Sequence, residues 1–162
     1  KRLREIANML LRENCSVPVT PARPAEAAEK TRFINEVRLA KGVPVIILAD
    51  DVTMHQDWKE RFEVARAASL GIEVLHFSTP EEIRNWFRAN LERWQNVTYL
   101  VDFELREQKT NGLEIIETLG IQEQAILVTN RAEEEALQNR CGRLGGGLLP
   151  KDAVGFIPIR VE

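Results

Sequence analysis

Three acids, one hydroxyl and one ammonium stand where apolar runs stop. Asp50-Asp51 follows Ile46-Ile47-Leu48-Ala49, Asp102 follows Tyr99-Leu100-Val101, Thr129 follows Ile126-Leu127-Val128, and Lys151 follows Leu148-Leu149-Pro150. Taken singly, each has an ordinary explanation. Aspartates cap helices, threonine fills strands, and lysine is usually a solvated surface charge. Taken together they make a chemical set. Carboxylates crowded in one place repel one another and call for a cation. An all-oxygen site suits Mg²⁺, which takes one or two carboxylates and keeps several waters. A carboxylate beside such a cation can attack a phosphoryl group and become an aspartyl phosphate. Phosphoryl transfer needs positioning and charge neutralisation above all. A threonine hydroxyl and a lysine ammonium supply both to the equatorial oxygens.

The elements that would position these groups alternate. Residues 43–49 are a continuous apolar run, the pattern of a strand buried on both faces. Residues 53–70 predict a helix with Met54, Trp58, Phe62 and Ala65 inward, closed by Gly71. Strand 72–77 follows, then a helix from Pro80 to about Trp94. Its start carries a hydroxyl cap, a first-turn proline and two acids. Strand 97–101, a polar loop 103–110, a short helix with Leu113, Ile116 and Leu119, and strand 124–128 come next. Residues 131–144 predict a polar helix, and 148–149 a short fifth strand. Gly145-Gly146-Gly147 reads as a flexible link, since it follows a helix and precedes none. The tail 156–161 reads as a strand that Pro158 confines to an edge. Alternating strands and helices imply a parallel sheet covered on both sides. Function then gathers beyond the carboxyl ends of the strands. With strand order 2-1-3-4-5, the first and third strands are neighbours and their acids meet.

Ahead of this unit, residues 2–13 place Leu3, Ile6, Leu10 and Leu11 on one helical face. Residues 16–24 form a proline-punctuated linker, and 25–41 predict a second helix with Phe33, Ile34 and Val37 inward, stopped at Gly42. The expected division is a helical extension with a linker over 1–41 and a single α/β domain over 42–162. The chain opens on Lys1 and reads as a fragment of a longer polypeptide.

A net charge of −3 gives no electrostatic case for nucleic acid or for an anionic membrane surface. No apolar run approaches the roughly 20 residues that span a bilayer. Two cysteines, Cys15 and Cys141, lack metal-ligand spacing and fit a reducing cytoplasm. His55, just past the acidic pair, is expected on an exposed helix position, and His76 as a structural strand residue. Trp58, Trp86 and Trp94 are expected in the core or at an interface.

Residues 43–151 resemble a response-regulator receiver domain of two-component systems. The resemblance is carried by Ile46-Ile47-Leu48-Ala49-Asp50-Asp51, by Tyr99-Leu100-Val101-Asp102 with Asn111-Gly112-Leu113-Glu114-Ile115-Ile116 after it, by Ile126-Leu127-Val128-Thr129, and by Leu149-Pro150-Lys151. It implies a flavodoxin-like doubly wound sheet of five parallel strands. It implies Asp102 as phosphoacceptor, with Mg²⁺ held by Asp50, Asp51, Asp102 and the backbone carbonyl of Glu104. Thr129 and Lys151 would contact the phosphoryl group. The partner implied is a histidine kinase or a histidine phosphotransfer protein, in the cytoplasm, with a homodimer left open. The domain itself would be an acceptor rather than a turnover enzyme. No fifth helix follows Lys151, and no output domain follows residue 151. With the helical lead-in, this resembles the C-terminal receiver of a hybrid sensor histidine kinase, whose parent could be membrane-anchored while this fragment touches no membrane. An N-terminal helix, 3–12 or 25–41, is expected to cover the sheet face that the missing helix leaves bare.

The chain departs from the family pattern elsewhere too. The loop from Asp102 to Gly112 is long, Asn130 follows Thr129, Pro150 precedes Lys151, and Leu148 stands at the switch-aromatic position. These departures motivate a second reading, a receiver-like dimerisation or interaction module that is never phosphorylated. A third is a Mg²⁺-dependent phosphohydrolase working through an aspartyl phosphate, with Glu104 as its second acid.

Overall fold

The computed structural model describes residues 32–162. The predicted helix over 2–13 and the linker over 16–24 lie outside them. Six strands form the main sheet: β1 (Arg32–Phe33), β3 (Val45–Leu48), β4 (Val74–Phe77), β5 (Thr98–Asp102), β6 (Ala125–Thr129) and β7 (Gly147–Pro150). Two more, β2 (Val37–Leu39) and β8 (Ile159–Val161), pair with each other. The main sheet runs β1-β7-β6-β5-β3-β4 and every neighbouring pair is parallel. The five strands from β3 to β7 therefore keep the expected order, with the second strand outside the first. The sheet has six strands rather than five because β1 adds an edge beyond β7. Gly147 makes that edge close-packed: a Cβ there would lie 2.7 Å from Ile34 Cδ1. Gly147 thus belongs to a strand, not to a flexible link.

Four helices among the described residues cover the sheet: α1 (Val52–Val64), α2 (Pro80–Ala89), α3 (Gly112–Leu119) and α4 (Glu135–Leu144). Asp51 caps α1, and Thr79 with Glu82 closes a capping box on α2. Asn111 and Glu114 do the same for α3. α1 ends earlier than its apolar pattern suggests, because Arg66 takes a left-handed conformation (φ 57°). A 3₁₀ turn at Ala68–Leu70 finishes the connection.

Successive residues of each inner strand feed opposite faces. Ile46, Leu48, Tyr99, Val101 and Leu127 pack with Ile83 of α2, Leu113 and Ile116 of α3, and Leu137 and Cys141 of α4. Val45, Ile47, Leu100 and Val128 pack with Met54, Trp58 and Phe62 of α1. Trp58 is accordingly core, stacked on Phe62.

The helix expected over 25–41 is not what residues 32–41 form. Phe33, Ile34 and Val37 do match helical spacing, but Val37 and Leu39 are buried with Arg38 exposed between them, which is a strand's period of two. β2 lies parallel to β8, with Val37 opposite Ile159 and Leu39 opposite Val161. Val37, Leu39, Val154 and Ile157 then cover the face beside α1 where a fifth helix was missing. A two-stranded ribbon lies there where a helix over 25–41 was expected, and the other expected cover, 3–12, lies outside the described residues. Arg61 of α1 fastens the tail by donating to the Ile157 carbonyl at 2.6 and 3.2 Å.

Candidate functional site

Strand register alone gathers three of the expected residues. Asp102 stands opposite Val128, one place before Thr129, and Thr129 stands opposite Pro150, one place before Lys151. Apolar runs bury these strand ends, so Asp102 (1% exposed) and Thr129 (0%) are the buried polar residues of the described chain. Gly112 brings the start of α3 hard against the same strand end. A Cβ at that position would sit 2.1 Å from the Asp102 carbonyl oxygen, so only glycine fits.

The Lys151 ammonium lies 2.9 Å from Asp102 Oδ1 and 3.1 Å from Glu104 Oε1. Asp102 Oδ1 also accepts from the Glu104 backbone N–H at 3.3 Å. Its other oxygen, Oδ2, is buried and has no hydrogen-bond partner among the described residues. Burial pushes the Asp102 carboxyl up to about 6, against the opposing pull of Lys151. Burial works against the Lys151 ammonium too, but Asp102 and Glu104 outweigh it and hold it above its usual value.

Asp50 and Asp51 sit at the rim of this centre. Asp50 Oδ2 accepts from the Glu107 N–H at 3.0 Å, and Asp51 Oδ1 accepts from the Thr53 N–H at 2.9 Å as the cap of α1. Both line a cavity of about 310 Å³ together with Glu104, Arg106, Glu107 and Lys151. Among the described residues no three acids, imidazoles or thiols are gathered as a ready-made metal cluster. The donor chemistry nevertheless fits Mg²⁺. The acids are all-oxygen donors, Asp102 Oδ2 is buried without a partner, and such an ion needs only one or two carboxylates.

The side chain of Glu104 is where sequence reasoning fell short. Only its backbone carbonyl was expected at the centre, or its carboxylate as a hydrolase acid. Instead its Oε2 accepts from the Thr129 hydroxyl at 2.8 Å, and both its oxygens stand 3.3 Å from the Asn130 N–H. Burial acts to raise this carboxyl, but the Thr129 hydroxyl, the Lys151 ammonium and the Asn130 amide together hold it below the usual glutamate range. The signal available beforehand was an acid two residues past Asp102. Its direction depends on the fold of the loop 103–111, which no periodicity encodes.

The histidines meet one another. His55 Nε2 lies 2.6 Å from the Ala49 carbonyl, and its Nδ1 lies 2.8 Å from His76 Nδ1. His55 is therefore half-buried and engaged, not an exposed helix residue.

No family model matches the chain, and no characterised protein matches it in sequence. Among solved structures the chain is similar to the bacteriophytochrome response regulator AtBRR, at 19% identity and a TM-score of 0.49, over 65% of this chain and 80% of that one. It is also similar to a mutant of the receiver domain of the histidine kinase CKI1 from Arabidopsis thaliana, at 12% identity and a TM-score of 0.46, over 70% of this chain and 83% of that one. β3 to β7 keep the strand order expected from the sequence, with helices packed on both faces. No helix among the described residues is long and apolar enough to cross a membrane.

Proposed function

We propose that this chain is a receiver domain that accepts a phosphoryl group on Asp102 from a phosphohistidine of a histidine kinase or phosphotransfer protein. One observation carries the reading. A fully buried carboxylate at the end of the central strand keeps one oxygen on Lys151 at 2.9 Å and leaves the other without a partner. A free oxygen on a carboxylate anchored by its twin is what an attacking nucleophile requires. In the transfer, Asp102 Oδ2 forms a bond to phosphorus as the phosphorus–nitrogen bond to imidazole breaks. The imidazole nitrogen keeps that electron pair, and because the ring's other nitrogen carries a proton in the donor, the ring leaves as neutral imidazole.

Asp50, Asp51, Asp102 and the Glu104 backbone carbonyl are the groups that would hold Mg²⁺. When bound, the ion supplies charge neutralisation between the carboxylates and a phosphoryl oxygen. Lys151 fixes the orientation of Asp102, and Thr129 offers its hydroxyl on the neighbouring strand. A phosphorylated Asp102 would bias a two-state surface. A cytoplasmic setting belongs to the same reading.

Intact mass spectrometry after treatment with acetyl phosphate and Mg²⁺ tests it. Wild type should gain the mass of one phosphoryl group and Asp102→Asn none. An unlabelled wild type would refute the acceptor role. It would favour the second reading, a receiver-like interaction module. One feature supports that alternative: Thr129, the Asn130 amide and Lys151 already share the Glu104 carboxylate.

A further inference from the structure

The Thr129 hydroxyl, the Asn130 amide and the Lys151 ammonium converge on a single anion, and that anion is part of the chain. Glu104 Oε2 takes the hydroxyl at 2.8 Å, Oε1 lies 3.1 Å from the ammonium, and the amide reaches both oxygens at 3.3 Å. A hydroxyl, a main-chain N–H and an ammonium aimed at one point form an oxyanion cradle. We propose that Glu104 is a built-in occupant of this cradle, which a phosphoryl group arriving on Asp102 must displace. The inference deepens the acceptor reading of Asp102 and rests on it. It adds a residue that sets how readily the site is loaded.

Charge supports the argument. Asp102 and Glu104 share the one lysine at this centre. A phosphoryl group brought onto Asp102 would face the Glu104 carboxylate across that same ammonium. Two anions cannot share donors that satisfy one, so the carboxylate must leave. Room to leave exists. Glu104 lines the 310 Å³ cavity and also a neighbouring one of about 560 Å³. The second cavity is walled by Arg106, Lys109 and Arg131, which suits a released carboxylate. The bonds that hold Glu104 in the cradle are made by its carboxylate, whereas its backbone N–H stays on Asp102 Oδ1, so a side-chain rotation releases it without moving the loop backbone.

The test has two arms. In the first, Asp102→Asn and the double variant Asp102→Asn/Glu104→Ala are titrated with inorganic phosphate while the Asn130 and Arg131 amides are followed by NMR. The double variant should bind phosphate about tenfold or more tightly, the size expected when a competing charged hydrogen bond is removed. Equal affinities, including no binding by either, would overturn the inference. In the second, wild type, Glu104→Gln and Glu104→Ala are labelled with acetyl phosphate and Mg²⁺. Glu104→Ala should label about tenfold faster than wild type, with Glu104→Gln between them. Equal labelling rates overturn the inference while leaving Asp102 as acceptor. If no protein is labelled, the acceptor reading fails and the phosphate arm still judges the cradle.

Discussion

Replacing Asp102 by Asn should change how stability depends on pH, and the size follows from the site. Burial raises the folded carboxyl from its ordinary 3.8 to about 6. Between those values the folded protein binds more protons than the unfolded chain. Stability therefore falls as pH rises through that window. The gap corresponds to about 3 kcal/mol at about 1.4 kcal/mol per tenfold change in proton affinity. Asn at this position has no proton to lose, so the variant escapes this fall. Glu104 titrates in both proteins and shifts the other way, with stability lost as pH drops through its lowered value, so its share largely cancels in the comparison. Urea unfolding of both proteins at half-unit steps from pH 3.5 to 7.5 measures the difference. The variant should gain on wild type by about 3 kcal/mol across the series, with most of the gain between about pH 4 and pH 6. A constant difference across the series would refute the claim that Asp102 is a desolvated carboxylate.

Gly112→Ala drives a methyl into the Asp102 carbonyl. It should cost about 3 kcal/mol in chemical denaturation and slow phosphodonor labelling of Asp102. A loss below about 1 kcal/mol would show that the start of α3 can shift away freely. Arg61→Ala removes both guanidinium bonds to the Ile157 carbonyl. It should cost about 2 kcal/mol and speed amide hydrogen exchange along the β2–β8 ladder, and unchanged protection there would count against that role for Arg61.

What could be read from the sequence followed physical periodicity. The buried runs ending at Ala49, Val101 and Val128 admit little besides inner strands of a parallel sheet, and the register of those strands then brings Asp102, Thr129 and Lys151 together. Short elements were harder. Val37 and Leu39 span a strand of three residues, too few to distinguish a period of two from one of 3.6. Phe33, Ile34 and Val37 imitate a helical stripe, so the ribbon was mistaken for a helix. Its partner β8 lies at the other end of the described chain, and local patterns carry no information about that pairing. Asp50 and Asp51 were rightly placed at a strand end. Their present bonds to Glu107 and Thr53, however, depend on loop and cap geometry. The Glu104 carboxylate was the least legible of all, since only a folded 103–111 loop turns it toward Thr129.

The β2–β8 ribbon also bears on the order in which the fold can be completed. Its two strands lie near opposite ends of the described chain, so the segment between them holds β3 to β7 and the four helices. Contacts of such separation form late, because the intervening chain must first be ordered. A nascent chain that has not yet emerged through residue 161 leaves Val37 and Leu39 without their partner strand. The apolar surface they cover beside α1 stays open to water, and to other chains, until residues 159–161 arrive.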